Sequence, residues 1–221
     1  RELVQAYPQC YTFAWKSQSS VFMGASPELL VKLEDGRFSS NPLAGSVRRG
    51  EGTDEDDAIG RDLLNSAKDQ VEHRLVVEDM ERRLAPYVDD LVVPDAPGLK
   101  KMATVQHLST EITGSVDGIS PLELVAAVHP TPAVGGVPRL EAVDYIDAEE
   151  EFDRGWYTGG VGYVTPDGDG EIAIALRCGL ILNDTSHLFA GAGIVADSDP
   201  AAEVVETRLK LRPLLDIVAS T

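Results

Sequence analysis

The segment ELLVKLEDGRFSS, residues 28–40, decides the fold class of this chain. Residues 28–34 largely alternate in polarity, which is the period of a half-buried strand. Asp35-Gly36 is a two-residue hairpin turn signal, after which residues 37–40 return as a partner strand. A second strand pair is predicted just before it, at residues 10–15 and 21–24. The chain therefore opens with antiparallel strands.

Helices are predicted next. Residues 41–46 leave the sheet as a tight loop, and Thr53–Asp56 has the form of a capping box before a short helix at about 54–65. Ser66 is the candidate N-cap of a longer helix at about 67–85. Its buried stripe at helical spacing is expected to be Val71, Leu75, Leu84 and Val88.

The second half repeats the order of strands and then a helix. An extended segment is predicted at 102–108, a helix from Ser120-Pro121 to His129, and an irregular loop at 131–138. A β-meander is expected at 156–164, 171–182 and 187–195, followed by a helix capped at Ser198-Asp199-Pro200. This order predicts one α+β domain, residues 1–221, with antiparallel sheets flanked by helices.

Composition limits the possible partners. The 221 residues carry 19 basic and 37 acidic side chains, a net charge of −18. This field repels phosphate backbones and anionic lipid, so we expect neither nucleic acid nor membrane as a partner. The N-terminus has no basic and apolar leader of the signal-peptide kind, and two cysteines make no disulfide framework. We expect a cytoplasmic monomer.

Two acidic helical faces are the clearest candidate site. Asp69 and Glu72 lie at i, i+3, as do Glu203 and Glu206, and Lys210 follows Glu206 by one turn. Two such faces brought together suit Mg²⁺, which takes one or two protein carboxylates and completes its octahedron with water and substrate oxygens. The alternative is a solvated acidic surface.

Other residues are ambiguous on their own. Residues 191–196 are similar to a dinucleotide-binding glycine fingerprint but lack its strand-then-helix context, so close backbone approach to a neighbour is favoured. His107 lies among apolar residues, as a structural core histidine would. Arg177 interrupts an apolar strand, and a buried guanidinium there would need an anion.

Taken together, seven segments resemble the chorismate-utilising enzymes, and most closely their isochorismate synthase branch. They follow the family's order from about residue 10 to the C-terminus. The segments are Gly24–Leu30, Pro42–Ser46, Ala67–His73, His129–Pro138, Phe152–Arg154, Phe189–Val195 and Glu206–Leu211.

The resemblance implies a Mg²⁺-dependent α+β enzyme that adds water at C2 of chorismate and removes the C4 hydroxyl. It implies that Glu28 is the general acid, that Glu72 and Glu206 are metal ligands, and that Asp69 and Glu203 are their neighbours. The implied carboxylate-binding groups are Arg177, Lys210 and the amides of Gly191 and Gly193. The implied ring-lining positions are Gly45, Ser46, His107, Ala133 and Tyr157.

The implied chemistry is physically consistent. Chorismate is a dicarboxylate entering an acidic protein, so Mg²⁺, Arg177 and Lys210 must supply positive charge locally. Hydroxide is a poor leaving group, so a protonated carboxyl near C4 is required, and burial would raise the pKa of Glu28 toward that role.

One family feature has no counterpart in this sequence. The lysine that activates water lies upstream of the segment matching Gly24–Leu30, and no such strand occurs in these residues. We therefore expect a chain truncated at its N-terminus, lacking half of the family fold and inactive alone. A salicylate or anthranilate-type synthase, a non-catalytic chorismate-binding fragment and a nucleotide-binding protein are alternatives. Whether the product feeds menaquinone, a siderophore or salicylate is open.

Overall fold

The computed structural model describes residues 1–219, which form seven helices and thirteen strands. The helices are α1 (Glu2–Ala6), α2 (Thr53–Asn65), α3 (Ala67–Leu84), α4 (Pro121–Val128), α5 (Pro132–Gly135), α6 (Arg139–Glu149) and α7 (Pro200–Val218). The strands are β1 (Tyr11–Lys16), β2 (Ser20–Ser26), β3 (Leu29–Glu34), β4 (Arg37–Asn41), β5 (Leu43–Arg48), β6 (Asp89–Val92), β7 (Gly98–Lys101), β8 (Val105–Ser109), β9 (Ile112–Ser115), β10 (Gly160–Val164), β11 (Gly170–Ile174), β12 (Cys178–Leu182) and β13 (Thr185–Phe189).

The strands form three sheets in which every pairing is antiparallel. The orders are β1-β2-β12-β13, β10-β11-β3-β4-β9-β6 and β5-β8-β7. Helices α3 and α4 contribute to the core of the six-stranded sheet, and α3 also packs on β5 and β8. The predicted α+β class with antiparallel sheets and flanking helices is confirmed.

The hairpin at residues 28–40 forms as predicted. Glu34 pairs with Arg37, and the two turn residues between them, Asp35 and Gly36, have φ of 51° and 72°, as a type I′ turn requires. The alternation is less strict than expected, because Leu29, Leu30, Val31 and Leu33 are all buried. Strand β3 lies between β11 and β4 and is covered on both faces at its start.

The long helix α3 has a different buried stripe from the expected one. Ser66 caps it as predicted, and its side chain accepts a hydrogen bond from the backbone amide of Asp69. Val71 and Leu75 are 39% and 36% exposed, whereas Leu84 and Val88 are buried as predicted. The core-facing residues of the helix are His73, Val76, Asp79, Met80 and Leu84. Leu75 instead lines a cavity beside the helix, which leucine spacing alone does not distinguish from a core position.

Other boundaries also differ. The N-cap of α2 is Gly52 without a side-chain cap, so the predicted capping box at Thr53 is wrong, whereas Asp199 caps α7 as predicted. The expected loop at 41–46 contains the start of β5. Residues 132–135 of the expected irregular loop form α5, and α6 has no buried residue to give a helical pattern. Strands β6, β7 and β9 are short and were not predicted.

The largest correction lies at Arg177. The predicted strand 171–182 is two strands in two different sheets, β11 and β12. Arg177 separates them with φ of 49°, a left-handed backbone that breaks both ladders. The expected meander is therefore two hairpins, and β13 ends at Phe189, before the glycine segment. Among residues 1–219, no helix combines the length and apolar character needed to cross a membrane.

Candidate active site

A cavity of about 510 Å³ is lined by residues of β5, α3, β8, α5 and α7 and by the segment 189–195. Eleven of the fourteen predicted site residues line it: Glu28, Gly45, Ser46, Glu72, His107, Ala133, Tyr157, Arg177, Gly191, Gly193 and Lys210. The other three are joined to the cavity wall by ion pairs. Lys68 links Asp69 and Glu203 to Glu72 of the wall. Glu206 pairs with Lys210 of the wall. Residues from nine separate stretches of the sequence therefore converge.

A bulge in β5 shapes one wall. Gly45 has φ of 67°, and a Cβ there would lie 3.1 Å from Cβ of Asp69, so a glycine lets the strand bend against the first turn of α3. The bulge brings the Ser46 hydroxyl to 2.9 Å from Nδ1 of His107 and the Gly45 carbonyl to 3.2 Å from the same nitrogen. A carbonyl only accepts, so we assign the proton to Nδ1.

His107 is thus only half satisfied. It is 3% exposed, and its Nε2 has no hydrogen-bond partner within residues 1–219. Burial, with Arg177 and Lys210 adding to it, holds the pKa of His107 well below its usual value, so the ring is neutral at pH 7. The Nε2 lone pair is therefore available to accept a hydrogen bond from a ligand hydroxyl. This does not fit the alternative interpretation of His107 as a structural core histidine.

Glu28 is a buried carboxyl, 3% exposed. Its amide donates to Ser26 Oγ at 3.3 Å, and Pro27 before it restricts the backbone. Burial raises the pKa of Glu28 to about 7, although the Leu43 amide and the charges of Arg177, Lys210 and Lys100 act in the opposite direction. No Lys or Arg within the described residues lies within ion-pair distance of Glu28, so the structure does not support a merely structural ion pair for this carboxyl.

The two predicted acidic faces meet between α3 and α7. Lys68 Nζ lies 2.8 Å from Glu203 Oε1, 3.5 Å from Glu72 Oε2 and 3.9 Å from Asp69 Oδ1. Lys210 pairs with Glu206 and donates to the Gly191 carbonyl at 3.0 Å. Lys68 was not among the predicted site residues, although its i, i+4 spacing to Glu72 is an available signal.

The charges of this acidic cluster (Asp69, Glu72, Glu203 and Glu206) act on one another. Burial raises the pKa of Glu72, and the negative charge of Glu206 raises it further. Burial opposes the charge on Lys68, but its hydrogen bond to Glu203 and the charges of Glu72 and Asp69 prevail and raise the pKa of Lys68. The lysine is therefore a permanent ammonium.

The cluster has the donors for a hard cation. Glu72 Oε2 and Glu203 Oε2 are buried without a hydrogen bond in the part of the chain that the structure describes. No group of three His, Cys, Asp or Glu side chains in that part forms a metal cage. Mg²⁺ does not need one, because it keeps several waters and uses one or two carboxylates plus substrate oxygens. The residues present therefore fit a Mg²⁺ shared with a ligand.

Two arginines line the cavity but differ in their partners. Arg154 donates to Glu150 at 2.7 Å and to the Val134 carbonyl at 2.8 Å, and its guanidinium lies 5.9 Å from the ring centroid of Tyr157. Arg177 is half-buried, and no carboxylate in residues 1–219 lies within ion-pair distance of it. An arginine stays protonated even where burial lowers its pKa, so Arg177 presents an uncompensated cation to the cavity.

The glycine segment forms the opposite wall. A Cβ at Gly193 would lie 2.2 Å from Glu72 Oε1, and one at Gly191 would lie 3.0 Å from the Tyr157 hydroxyl. These are the close approaches expected for this segment. The segment precedes α7 by several residues, and no parallel βαβ unit is present in the described residues, so the dinucleotide reading has no structural support.

Comparison with known proteins agrees with the family resemblance seen in the sequence. A family model for chorismate binding enzymes matches residues 1–219. A salicylate biosynthesis isochorismate synthase of Pseudomonas aeruginosa is 46% identical over 209 residues, 94% of this chain and 44% of that protein. The isochorismate synthase MenF of Bacillus subtilis is 42% identical over 206 residues, 93% of this chain and 44% of that protein.

A solved structure extends the likeness to the fold. The crystal structure of DhbC from Bacillus anthracis matches with a TM-score of 0.95 and 40% identity, covering all of this chain and 61% of that one. The chain spans about half the length of the curated relatives it matches. On the match of nearly its whole length to the family model, this chain belongs to the chorismate binding enzyme family.

Proposed function

We propose that this chain is the chorismate-binding portion of a Mg²⁺-dependent isochorismate synthase, an isomerase that adds water at C2 and removes the C4 hydroxyl. The observation that carries the proposal is that one cavity contains both Arg177, an arginine without a carboxylate partner, and Glu28, a buried carboxyl that can be protonated. The first binds an anion, and the second donates a proton near neutral pH. Relatives bearing the isochorismate synthase name support this choice.

Each wall has a proposed task in binding. Arg177, Lys210 and the backbone of Gly191 and Gly193 hold the substrate carboxylates. These groups supply local positive charge in a chain whose net charge is −18. Tyr157, which stacks on Phe189 with ring centroids 5.2 Å apart, forms a flat surface beside Ala133, Gly45 and Ser46 for the substrate ring.

The chemical step is proposed for Glu28 and His107. Protonated Glu28 donates to the C4 oxygen as the C–O bond breaks, so that water and not hydroxide departs. The neutral His107 accepts a hydrogen bond from a substrate hydroxyl through Nε2. Mg²⁺ would be held by Glu72 and Glu206, with Asp69 and Glu203 beside them, and would neutralise a substrate carboxylate when bound.

The general base is not supplied by these residues. Among residues 1–219, Lys210 is the only lysine that lines the cavity, and it is engaged by Glu206 and the Gly191 carbonyl. We therefore expect chorismate binding with little turnover from the 221 residues alone. The alternative interpretation, a non-catalytic chorismate-binding fragment, also predicts binding with little turnover from this chain. Only an activity measurement on the longest polypeptide that the gene encodes distinguishes the two interpretations.

Product analysis tests the assignment within the family. Chorismate and Mg²⁺ are incubated with the longest encoded polypeptide, with and without ammonium, and the products are separated by chromatography. We expect isochorismate as the main product, because sequences that resemble salicylate synthases carry threonine at the position where this chain has Ala133. Salicylate or anthranilate as the main product would contradict the proposal.

A further inference from the structure

Lys68 lies at the centre of the acidic cluster formed by Asp69, Glu72, Glu203 and Glu206. It begins on α3 one turn before Glu72 and crosses to Glu203 on α7, so one ammonium contacts both helices. The side chains of Glu203 and Glu72 are 9% and 11% exposed. Buried carboxylates of like charge require a cation, and in this structure Lys68 provides it.

The two lysines balance only half of the negative charge of this cluster. Lys68 and Lys210 are two ammoniums against four carboxylates, which leaves two negative charges, the charge of one divalent cation. The distances also order the partners of Lys68, since it is 2.8 Å from Glu203 but 3.5 Å from Glu72. Glu203 therefore holds the ammonium beside Glu72, whose Oε2 has no hydrogen bond.

We propose that Lys68 is the resident counter-ion of the metal site: it keeps the carboxylates together when no metal is bound, and it lowers the site's affinity for divalent cations. The inference rests on the proposed function in placing a divalent cation at Glu72 and Glu206. A positive charge within about 4 Å of a ligand oxygen opposes a second cation strongly in a partly desolvated site. Removing it should tighten cation binding, whereas loss of a merely structural lysine would weaken it.

Mn²⁺ is the probe, with free Mn²⁺ measured by electron paramagnetic resonance during titration of the 221-residue chain without substrate. Lys68→Met should tighten Mn²⁺ binding tenfold or more, and Lys68→Arg, which keeps the charge, should stay within about threefold of the unaltered chain. Lys16→Met removes an exposed lysine at the end of β1 and should leave the affinity unchanged. This control separates the local charge from the net charge.

A second neutral variant keeps the test decisive if Lys68→Met does not fold. Lys68→Gln removes the same charge but keeps a polar side chain beside Glu203, so it should also tighten Mn²⁺ binding tenfold or more. An affinity that is unchanged or weakened in whichever of the two neutral variants folds would overturn the inference. Glu206→Gln tests the metal site itself. If Mn²⁺ binds neither the original chain nor the variants, the metal site and the inference fail together. If Mn²⁺ binds and Glu206→Gln loses it, but Lys68→Met does not bind Mn²⁺ more tightly, the counter-ion role alone fails.

Discussion

The backbone of Gly193 lies against the carboxylate of Glu72, so close that a Cβ on Gly193 would stand 2.2 Å from Oε1 and 2.7 Å from Cδ. A segment after β13 is thereby packed on a helix more than a hundred residues earlier in the chain. We predict that Gly193→Ala displaces the Glu72 carboxylate and weakens Mn²⁺ or Mg²⁺ binding about tenfold or more. Gly98→Ala is the matched control, because its nearest neighbour would be 3.9 Å away. Equal affinities in both variants would show that Glu72 is not a ligand.

Replacement of Glu28 by Gln tests the general acid. Gln keeps the shape but cannot transfer a proton, so kcat should fall on the order of 10²-fold while chorismate binding is nearly unchanged. Activity of the unaltered protein that depends on protonated Glu28 should decline as pH rises through about 7. Steady-state kinetics on the longest encoded polypeptide, with a binding titration beside it, measures both. An unchanged kcat would remove Glu28 from the mechanism.

The same carboxyl should make the chain's stability depend on pH. Burial raises the pKa of Glu28 from 4.5 to about 7 in the folded state, so the folded state binds the proton more tightly than the unfolded one. The stability that Glu28 contributes through this proton is fully present below about pH 4.5 and is lost as pH rises through about 7. The free energy of unfolding of Glu28→Gln, relative to the unaltered chain, should therefore increase between pH 5 and pH 8 by up to about 3 kcal/mol. Paired urea titrations at both pH values check this, and a difference independent of pH would contradict it.

The two cavity arginines should respond oppositely to replacement by Met. Arg177 lacks a carboxylate partner, so Arg177→Met should weaken chorismate binding about 10²-fold without lowering the melting temperature. Arg154→Met breaks contacts to Glu150 and Val134 and leaves a carboxylate unpaired, so it should lower the melting temperature by several degrees. Thermal unfolding and calorimetric titration distinguish them. Loss of stability in Arg177→Met with intact binding would reverse the assignment.

Local signals predicted the parts of the fold that local chemistry controls. The Asp35-Gly36 turn, the Ser66 cap and the Asp199 cap each depend on residues within one turn, and each forms. The break at Arg177 does not, because a left-handed arginine between two apolar strands leaves no composition signal. The burial prediction for Leu75 was wrong for a related reason, because apolar spacing shows a helix face but not whether that face meets a core or a cavity. Val71 is also exposed rather than buried.

Most of the site residues named from the sequence line the cavity, but their ion pairs were not predicted. The i, i+3 spacing of two carboxylate pairs marks faces that could hold a cation, and the family resemblance named the rest. The contact of Lys68 with Glu203 depends on how α3 and α7 pack. Sequence separation hides such contacts, since Lys68 and Glu203 are 135 positions apart.

Calorimetric titration of chorismate into this chain, with and without Mg²⁺, tests the central claim most directly. The account predicts saturable binding at one site that is strengthened by Mg²⁺, weakened about 10²-fold by Arg177→Met, and made insensitive to Mg²⁺ by Glu206→Gln. Chorismate binding that is absent, or that is unaffected by Mg²⁺ and by both substitutions, would contradict it.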